Sequence, residues 1–279
     1  MIIREALAAT CADLKSAGIE TPSLDASLLL AHVLNTSRTA LAASGQETLS
    51  EKAFGALRAL TDRRKSGECT AYILGKKEFR GLEFLVNPSV LVPRPDTETL
   101  VEAAITVIKE YDKARVLDLC TGSGAVAISL KNEMPELEVW AADISAEALE
   151  TAKQNARRLL SDGSIQFYSG DLYDALPRSQ FNLIISNPPY IPTDEIKTLS
   201  AEVRNEPRLA LDGGKSGLEI IERIINGASE KLIKGGALLL EADPLQMKNI
   251  SVLLEKKGFN EIIIYNDLSG LQRVIGGKT

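Results

Sequence analysis

The chain has 279 residues, 44% hydrophobic and 25% charged, a globular balance that excludes disorder and collagen-like repeats and suits one large domain or two modest ones. No apolar run reaches the roughly 18 residues that cross a bilayer, Met1-Ile-Ile-Arg-Glu lacks the basic and apolar regions of a secretory signal, and Cys11, Cys69 and Cys120 are too scattered for a disulfide framework or zinc site, so a cytoplasmic location is expected. The net charge of −6 disfavours strong nonspecific affinity for nucleic acid.

Residues 1–75 carry 8 Lys+Arg against 8 Asp+Glu, and the remainder 24 against 30, so the acidity belongs to the larger part. Leu24, Leu28, Leu29 and Val33 recur at helical spacing behind Thr21-Pro22, an N-cap followed by a first-turn proline. Thr48 with Glu51 fits a capping box that opens another helix. With little β-branched alternation, residues 1–75 read as a small helical bundle. Arg63-Arg64-Lys65 reads as a solvated helix end, and His32 as packed or satisfied at the surface. Residues 76–93 read as a hairpin connector, with Arg80-Gly81 at the turn.

Residues 94–279 alternate strand and helix. Apolar runs fall at 116–119, 139–142, 165–168, 183–185, 237–240 and 262–265, with amphipathic stretches such as 146–160 and 218–232 between them. The pattern predicts an α/β fold, a doubly wound, mostly parallel sheet with helices on both faces. Runs 261–265 and 271–276 are joined by too short a link for a parallel crossover, so the last strand should be antiparallel.

Asp118-Leu-Cys120-Thr121-Gly122-Ser123-Gly124 sits between a strand and a helix, where glycine lets a backbone approach a ligand closely. Asp143 closes the next strand, with Ser145 as a helix N-cap, and its carboxylate is suited to ribose hydroxyls. Gly122 to Ala127 also satisfies a dinucleotide pattern, so these residues alone leave a nicotinamide cofactor open. Asn187-Pro188-Pro189-Tyr190 separates the two readings. It follows the strand 181–186, and its prolines lack N–H donors and hold their carbonyls rigidly. The Asn187 side-chain oxygen and a proline carbonyl can accept both hydrogens of a planar NH2 group, with Tyr190 packed on its face. A dehydrogenase has no use for that arrangement.

Asp118 to Gly124 with Asp143 resembles the cofactor site of class I methyltransferases that use S-adenosylmethionine. Asn187 to Tyr190 resembles the motif of enzymes that methylate planar amino groups. Segments 64–75, 92–98 and 206–214 narrow the resemblance to the protein-(glutamine-N5) methyltransferases that act on peptide chain release factors, the HemK/PrmC family. It extends over essentially the whole chain. Three features depart from the family pattern: Cys120 stands where Gly is usual, Cys69 where Pro is usual, and Glu241-Ala-Asp-Pro where Glu is usually followed shortly by Gly. The first sets a small side chain beside the cofactor, and the other two are expected to touch no residue with an assigned chemistry.

The resemblance implies a Rossmann-like methyltransferase domain over 94–279, and residues 1–75 as a docking module for the protein substrate. It implies that Cys120, Thr121, Gly122, Ser123 and Gly124 line the methionine part of the cofactor, that Asp143 holds the ribose, and that Asp171 and Leu172 flank the adenine. Asn187 would touch cofactor and substrate, and Asn187, Pro188, Pro189 and Tyr190 would clasp the glutamine of a Gly-Gly-Gln loop. Glu206-Pro-Arg208 is a candidate for closing over the site, though its spacing carries no mechanism. S-adenosylhomocysteine would be the product. No metal, membrane or sequence-specific nucleic acid is expected as a partner. The competing readings are an adenine-N6 methyltransferase acting on DNA or RNA, which the acidic larger part argues against, and a catalytically silent cofactor-binding module, which the intact motifs argue against.

Overall fold

The structure, a computed structural model, describes every residue except 112, 162, 163 and 175 and divides into two units. The first unit joins Met1–Gly75 with Ser200–Asn205, a segment remote in sequence. Its helices are α1 (Ile3–Ser16), α2 (Pro22–Val33), α3 (Arg38–Ala43), α4 (Glu51–Lys65) and α5 (Thr70–Leu74), with the short helix Ala201–Arg204 beside them. Ile3, Ala6, Leu29, Leu30, Leu41 and Leu57 form the centre of its core. The buried stripe of α2 is shifted from the expected one: Leu24 is exposed, while Asp25, Ala26, Leu29 and Leu30 are buried.

The capping box expected at Thr48 and Glu51 does not form. Ser50 is the N-cap of α4, its hydroxyl accepting the Ala53 N–H at 3.2 Å. Thr48 instead bridges Ile2, and burial of Leu49 keeps the chain extended to Ser50. The helix end Arg63-Arg64-Lys65 is also not simply solvated. Arg64 is 2% exposed. Its Nε donates to Asp25 Oδ2 at 2.8 Å, and its terminal nitrogen pairs with Glu202. Asn205 Nδ2 donates to the Gly67 carbonyl at 2.9 Å. One buried cation thus binds the 200–205 segment into the helical unit, because a guanidinium removed from water needs carboxylate partners in fixed geometry.

The second unit comprises Lys76–Leu199 and Glu206–Thr279. It opens with the hairpin β1 (Lys76–Phe79) and β2 (Leu82–Leu85). The turn between them has Arg80 at φ 49° and Gly81 at φ 72°, the left-handed pair that matches the twist of a two-residue hairpin. The strands β3 (Arg115–Leu119), β4 (Glu138–Asp143), β5 (Ile165–Ser169), β6 (Phe181–Ser186), β7 (Leu232–Glu241), β8 (Asn260–Asn266) and β9 (Gln272–Lys278) follow. Among the described residues they make one sheet in the order β5-β4-β3-β6-β7-β9-β8. Pairing is parallel from β5 to β7 and antiparallel on both sides of β9.

The helices are α6 (Glu98–Ile108), α7 (Ala125–Glu133), α8 (Ala146–Leu159), α9 (Ala201–Arg204, within the first unit), α10 (Glu219–Lys231) and α11 (Met247–Lys256). Side chains alternate across the central strands, with an irregularity in β6 between Phe181 and Leu183. Val116, Val139, Ala141, Leu183 and Ile185 pack on the face covered by α6 and α7. Leu117, Trp140, Ala142 and Ile184 pack on the face covered by α10 and α11. Both faces are buried, which is why these strands read as continuous apolar runs. Strand order reverses at β3, between β4 and β6, and the loops leaving β3 and β6 therefore diverge to form a crevice at their carboxyl ends.

Replacing Arg64 with Met should destabilise the helical unit by about 3–5 kcal/mol, since Asp25 is left charged, buried and unpaired. Urea denaturation followed by circular dichroism measures this; a midpoint unchanged from wild type would mean that the ion pair contributes no net stability.

Candidate active site

β3 ends at Leu119, and the chain turns at once. Cys120 is at φ 58°, Gly122 at φ 55° and Gly124 at φ 80° before α7 begins. The left-handed conformation costs an L-residue about 1–2 kcal/mol, so the glycine usual at position 120 in the resembling family has a backbone reason, and Cys120 bears that cost. At Gly124 the demand is also steric: a Cβ there would lie 2.8 Å from Ile128 Cδ1 and 3.2 Å from Ala152 Cβ.

Two carboxylates hold this loop. Asp118, 1% exposed, accepts the Thr121 hydroxyl at 2.6 Å and the Ala127 N–H at 3.2 Å, both through Oδ2. Asp143 accepts the Gly122 N–H through Oδ2 and the Ser145 N–H through Oδ1, each at 2.9 Å. Burial pushes the Asp118 carboxyl up to about 7, against the lowering effect of the Thr121 and Ala127 donors. Burial raises Asp143 too, and the Ser145, Gly122 and Ile144 N–H groups oppose it. Ser145 caps α8 by accepting the Ala148 N–H at 3.1 Å. Asn155 on α8, fully buried, donates to the Ser123 carbonyl at 2.9 Å and exchanges hydrogen bonds with both backbone groups of Leu85. The glycine loop, α8 and the hairpin are thereby tied together.

A cavity of about 490 Å³ opens over the loop, within the range of about 300–1,000 Å³ typical of small-molecule sites. Cys120, Thr121, Gly122 and Ser123 line it, with Asp143, Asp171, Leu172, Asn187 and Pro189. Gly124, Pro188 and Tyr190 do not. Gly124 lies beneath the loop as the N-cap of α7. Tyr190 packs into the apolar cluster under α10 and α11, and burial raises its phenol well above the ordinary range. Its backbone carbonyl accepts from Gln246 Nε2 at 2.9 Å. Asp171 pairs with Arg223 at 2.8 Å at another part of the wall.

The structure adds residues that the sequence left without a role. Thr97 lines the cavity, and its hydroxyl accepts from Asn187 Nδ2 at 3.1 Å. Glu241 lies beside both of them, and the Thr97 and Asn187 side chains favour the charged form of its carboxyl. The expectation that the Glu241 segment touches no residue with assigned chemistry therefore fails, because β7 runs beside β6 and sets Leu240 opposite Ser186. Glu206, 4% exposed, accepts the Val92 N–H at 3.0 Å and pairs with Arg94. Pro207, Leu209 and Ala210 then reach the cavity wall. The next residues brace the Asn187 turn: Ile191 N–H donates to the Leu211 carbonyl at 3.0 Å, and Gly213 N–H to Ile191 at 2.9 Å. Among the described residues no group of His, Cys, Asp and Glu is arranged to hold a metal ion, and no helix is long and apolar enough to cross a membrane.

Comparison with known proteins gives this architecture relatives. The PrmC N-terminal domain family matches residues 5–75, and the methyltransferase small domain family residues 96–204. The release factor glutamine methyltransferase of Burkholderia pseudomallei (strain K96243) is 42% identical over 275 residues, covering 97% of this chain and 96% of the relative. That of Deinococcus radiodurans is 38% identical over 278 residues, covering 100% of this chain and 99% of the relative. Among solved structures, a methyltransferase from Pyrococcus furiosus superposes with a TM-score of 0.52 at 19% identity, covering 72% of this chain and 91% of that one; this likeness is one of fold.

The raised Asp118 carboxyl has a consequence for stability. The folded chain keeps this proton up to about pH 7, whereas an unfolded aspartate releases it near 3.9. The stabilising contribution is complete below the unfolded value and is lost as pH rises through the folded one. The fall in melting temperature between about pH 5.5 and about pH 8 should therefore be smaller in Asp118→Asn than in wild type; equal falls in the two proteins would show that Asp118 is ionised throughout.

Proposed function

The chain belongs to the release factor glutamine methyltransferase family, and from that premise we propose that it transfers a methyl group from S-adenosylmethionine to the side-chain amide nitrogen of the glutamine in the Gly-Gly-Gln loop of peptide chain release factors. The observation that carries this reading is the placing of Asn187 on the wall of the same cavity as the glycine loop and Asp143. In this reading the wall at Asp143 takes a nucleoside and the wall at Asn187 a planar amide. The cradle fits the cofactor: a loop of small residues free to approach it, and an acid at the end of β4. S-adenosylmethionine supplies a methyl carbon made electrophilic by its cationic sulfonium.

In this reading Cys120 to Gly124 form the loop against which the methionine part lies. Asp143 accepts from the ribose hydroxyls with the lone pairs left over from Gly122 and Ser145. Asp171 and Leu172 flank the adenine. A carboxamide nitrogen is a poor nucleophile, because its lone pair is delocalised into the carbonyl. Asn187 Oδ1 and a proline carbonyl of the same turn accept its two N–H bonds, fixing the amide plane and raising electron density on nitrogen. Its lone pair would then be held for in-line attack on the methyl carbon, the C–S bond breaking and the sulfur leaving as the neutral thioether. Such alignment can supply as much as about 7–11 kcal/mol in favourable cases. The nitrogen becomes acidic as it is methylated, and its proton leaves afterwards. Pro188 and Tyr190 complete the turn that carries Asn187. In this reading the helical first unit, which carries no motif of this chemistry, docks the folded protein substrate.

The test is incorporation of labelled methyl into release factor, into its Gln→Ala variant and into oligonucleotides. Label should enter only the first. Label in oligonucleotides would favour the adenine-N6 reading, and equal label in the Gln→Ala protein would refute the glutamine as target. Asn187→Ala should cost about 10²–10³ in turnover, about 2.7–4 kcal/mol, the usual loss of one well-placed transition-state partner. Turnover within a few-fold of wild type would remove Asn187 from the mechanism.

A further inference from the structure

Glu241 is the last residue of β7, one position beyond the pairing of Leu240 with Ser186, and the Asn187 turn leaves β6 immediately after Ser186. Its side chain is 1% exposed. It is not part of the cavity lining. The Thr97 hydroxyl and the Asn187 amide lie beside its carboxyl and favour its charged form, and Oε2 has no hydrogen-bond partner. A buried carboxyl oxygen without a donor is costly to keep, and an apolar residue at this place would avoid that cost.

The hydrogen bond between Asn187 and Thr97 fixes a direction. A threonine hydroxyl has one proton. The Thr97 oxygen accepts the Asn187 Nδ2–H at 3.1 Å, which leaves its own proton free to turn toward the neighbouring Glu241 carboxylate. Asn187 therefore turns its nitrogen toward Thr97 and Glu241, and its Oδ1 away from them.

We propose that Glu241 is a positioning residue for methyl transfer: through Thr97 and directly, its carboxylate holds the Asn187 carboxamide in the one orientation that presents Oδ1 to the N–H of the substrate amide. The inference rests on the glutamine-methylating reading above. Without the carboxylate, the Thr97 hydroxyl can reverse and the Asn187 amide can rotate by a half-turn, presenting a donor where an acceptor is needed. A negative charge behind the amide also polarises it, making Oδ1 a better acceptor as the substrate nitrogen becomes cationic.

The surrounding charges are compatible with a proton-sensitive role. Arg273 on β9 and Asp96 face Glu241 with opposite effects. Arg273 is itself committed to Asp96 at 3.1 Å and Asp267 at 3.3 Å. Tyr190 is the other titratable neighbour, and it stays neutral because burial raises its phenol. Burial outweighs these contacts and pushes the Glu241 carboxyl up to about 7. Positioning is accordingly gained as pH rises through that value and lost below it.

Two measurements on wild type and Glu241→Gln test the proposal. In the full chain without substrate, the Asn187 side-chain amide resonances, identified by their loss in Asn187→Ala, should shift between about pH 5.5 and 8.5 with a midpoint near 7. In Glu241→Gln they should not. Asn187 signals that fail to titrate in wild type, or that titrate equally in the variant, overturn the proposal. In steady-state methylation of release factor, Glu241→Gln should lower kcat by about tenfold to a hundredfold at about pH 8. KM for S-adenosylmethionine should stay within a few-fold, and the rise of kcat through neutrality should disappear. A kcat within twofold of wild type, or an unchanged pH profile, also overturns it. A wild-type chain that methylates no release factor removes the premise and the inference with it. That outcome is told apart from failure of Glu241 alone, because the amide titration is read without substrate.

Discussion

The Asp118 carboxylate, sealed from water beneath the glycine loop, is the interaction on which the rest of the site depends. A parallel strand that ends at a ligand must turn sharply into a helix, and the first N–H groups of that helix have no partners within it. Asp118 answers one of them at Ala127 and fixes the turn through Thr121. Asp143, from the neighbouring strand, answers Gly122. With its underside held, the loop can accept left-handed geometry at Cys120, Gly122 and Gly124 and present its upper edge to the cavity. The raised Asp118 carboxyl is the cost of keeping that anchor dry.

Topology does the remaining assembly. β3 lies between β4 and β6, so three consecutive carboxyl ends deliver the glycine loop, Asp143 and Asn187 to one crevice. Residues almost seventy positions apart along the chain become neighbours without any local signal at either. The same arrangement brings Thr97 from the approach to α6 and Glu241 from the end of β7 against Asn187. The Asn187 side chain is thus flanked by groups from two other elements.

This explains which features the sequence disclosed. The strands were legible because both sheet faces are buried, and the short link before β9 announced its antiparallel direction. The glycine loop, Asp143 and the Asn187 turn were legible because each is a local pattern tied to a strand end. The failures share one cause. Arg64 looks solvated in a basic run, and only the fold shows Asp25 and Glu202 converging on it. Glu241 looks like one more acid after an apolar run, and its partner lies on another strand. Thr48 has the right spacing for a cap, but pairing with Ile2 and burial of Leu49 delay the helix to Ser50. Ion pairs and buried polar contacts between distant residues leave no periodic trace, whereas hydrophobic periodicity and turn chemistry do.

The bracing of the Asn187 turn carries a further implication for the Glu241-Ala-Asp-Pro departure. β7 ends in Glu241, which reaches Asn187. Asp243 and Gln246 then form a capping box, with Asp243 accepting the Leu245 N–H at 2.9 Å. That box orients Gln246, whose Nε2 reaches the Tyr190 carbonyl. On the opposite side Gly213 packs so closely that a Cβ would fall 2.7 Å from Tyr190 Cα and 2.8 Å from the Pro189 carbonyl. The four-residue turn is therefore held at Asn187 by Thr97, at Tyr190 by Gln246, and packed at Pro189 and Tyr190 against Gly213. Tyr190 contributes to this grip from within the apolar cluster. An amide nucleophile gains reactivity only through alignment, and an error of about 1 Å can cost on the order of a hundredfold in rate. A turn fixed at both ends meets that demand better than a mobile loop, and it accounts for proline, glycine and buried carboxylate being concentrated around a single asparagine.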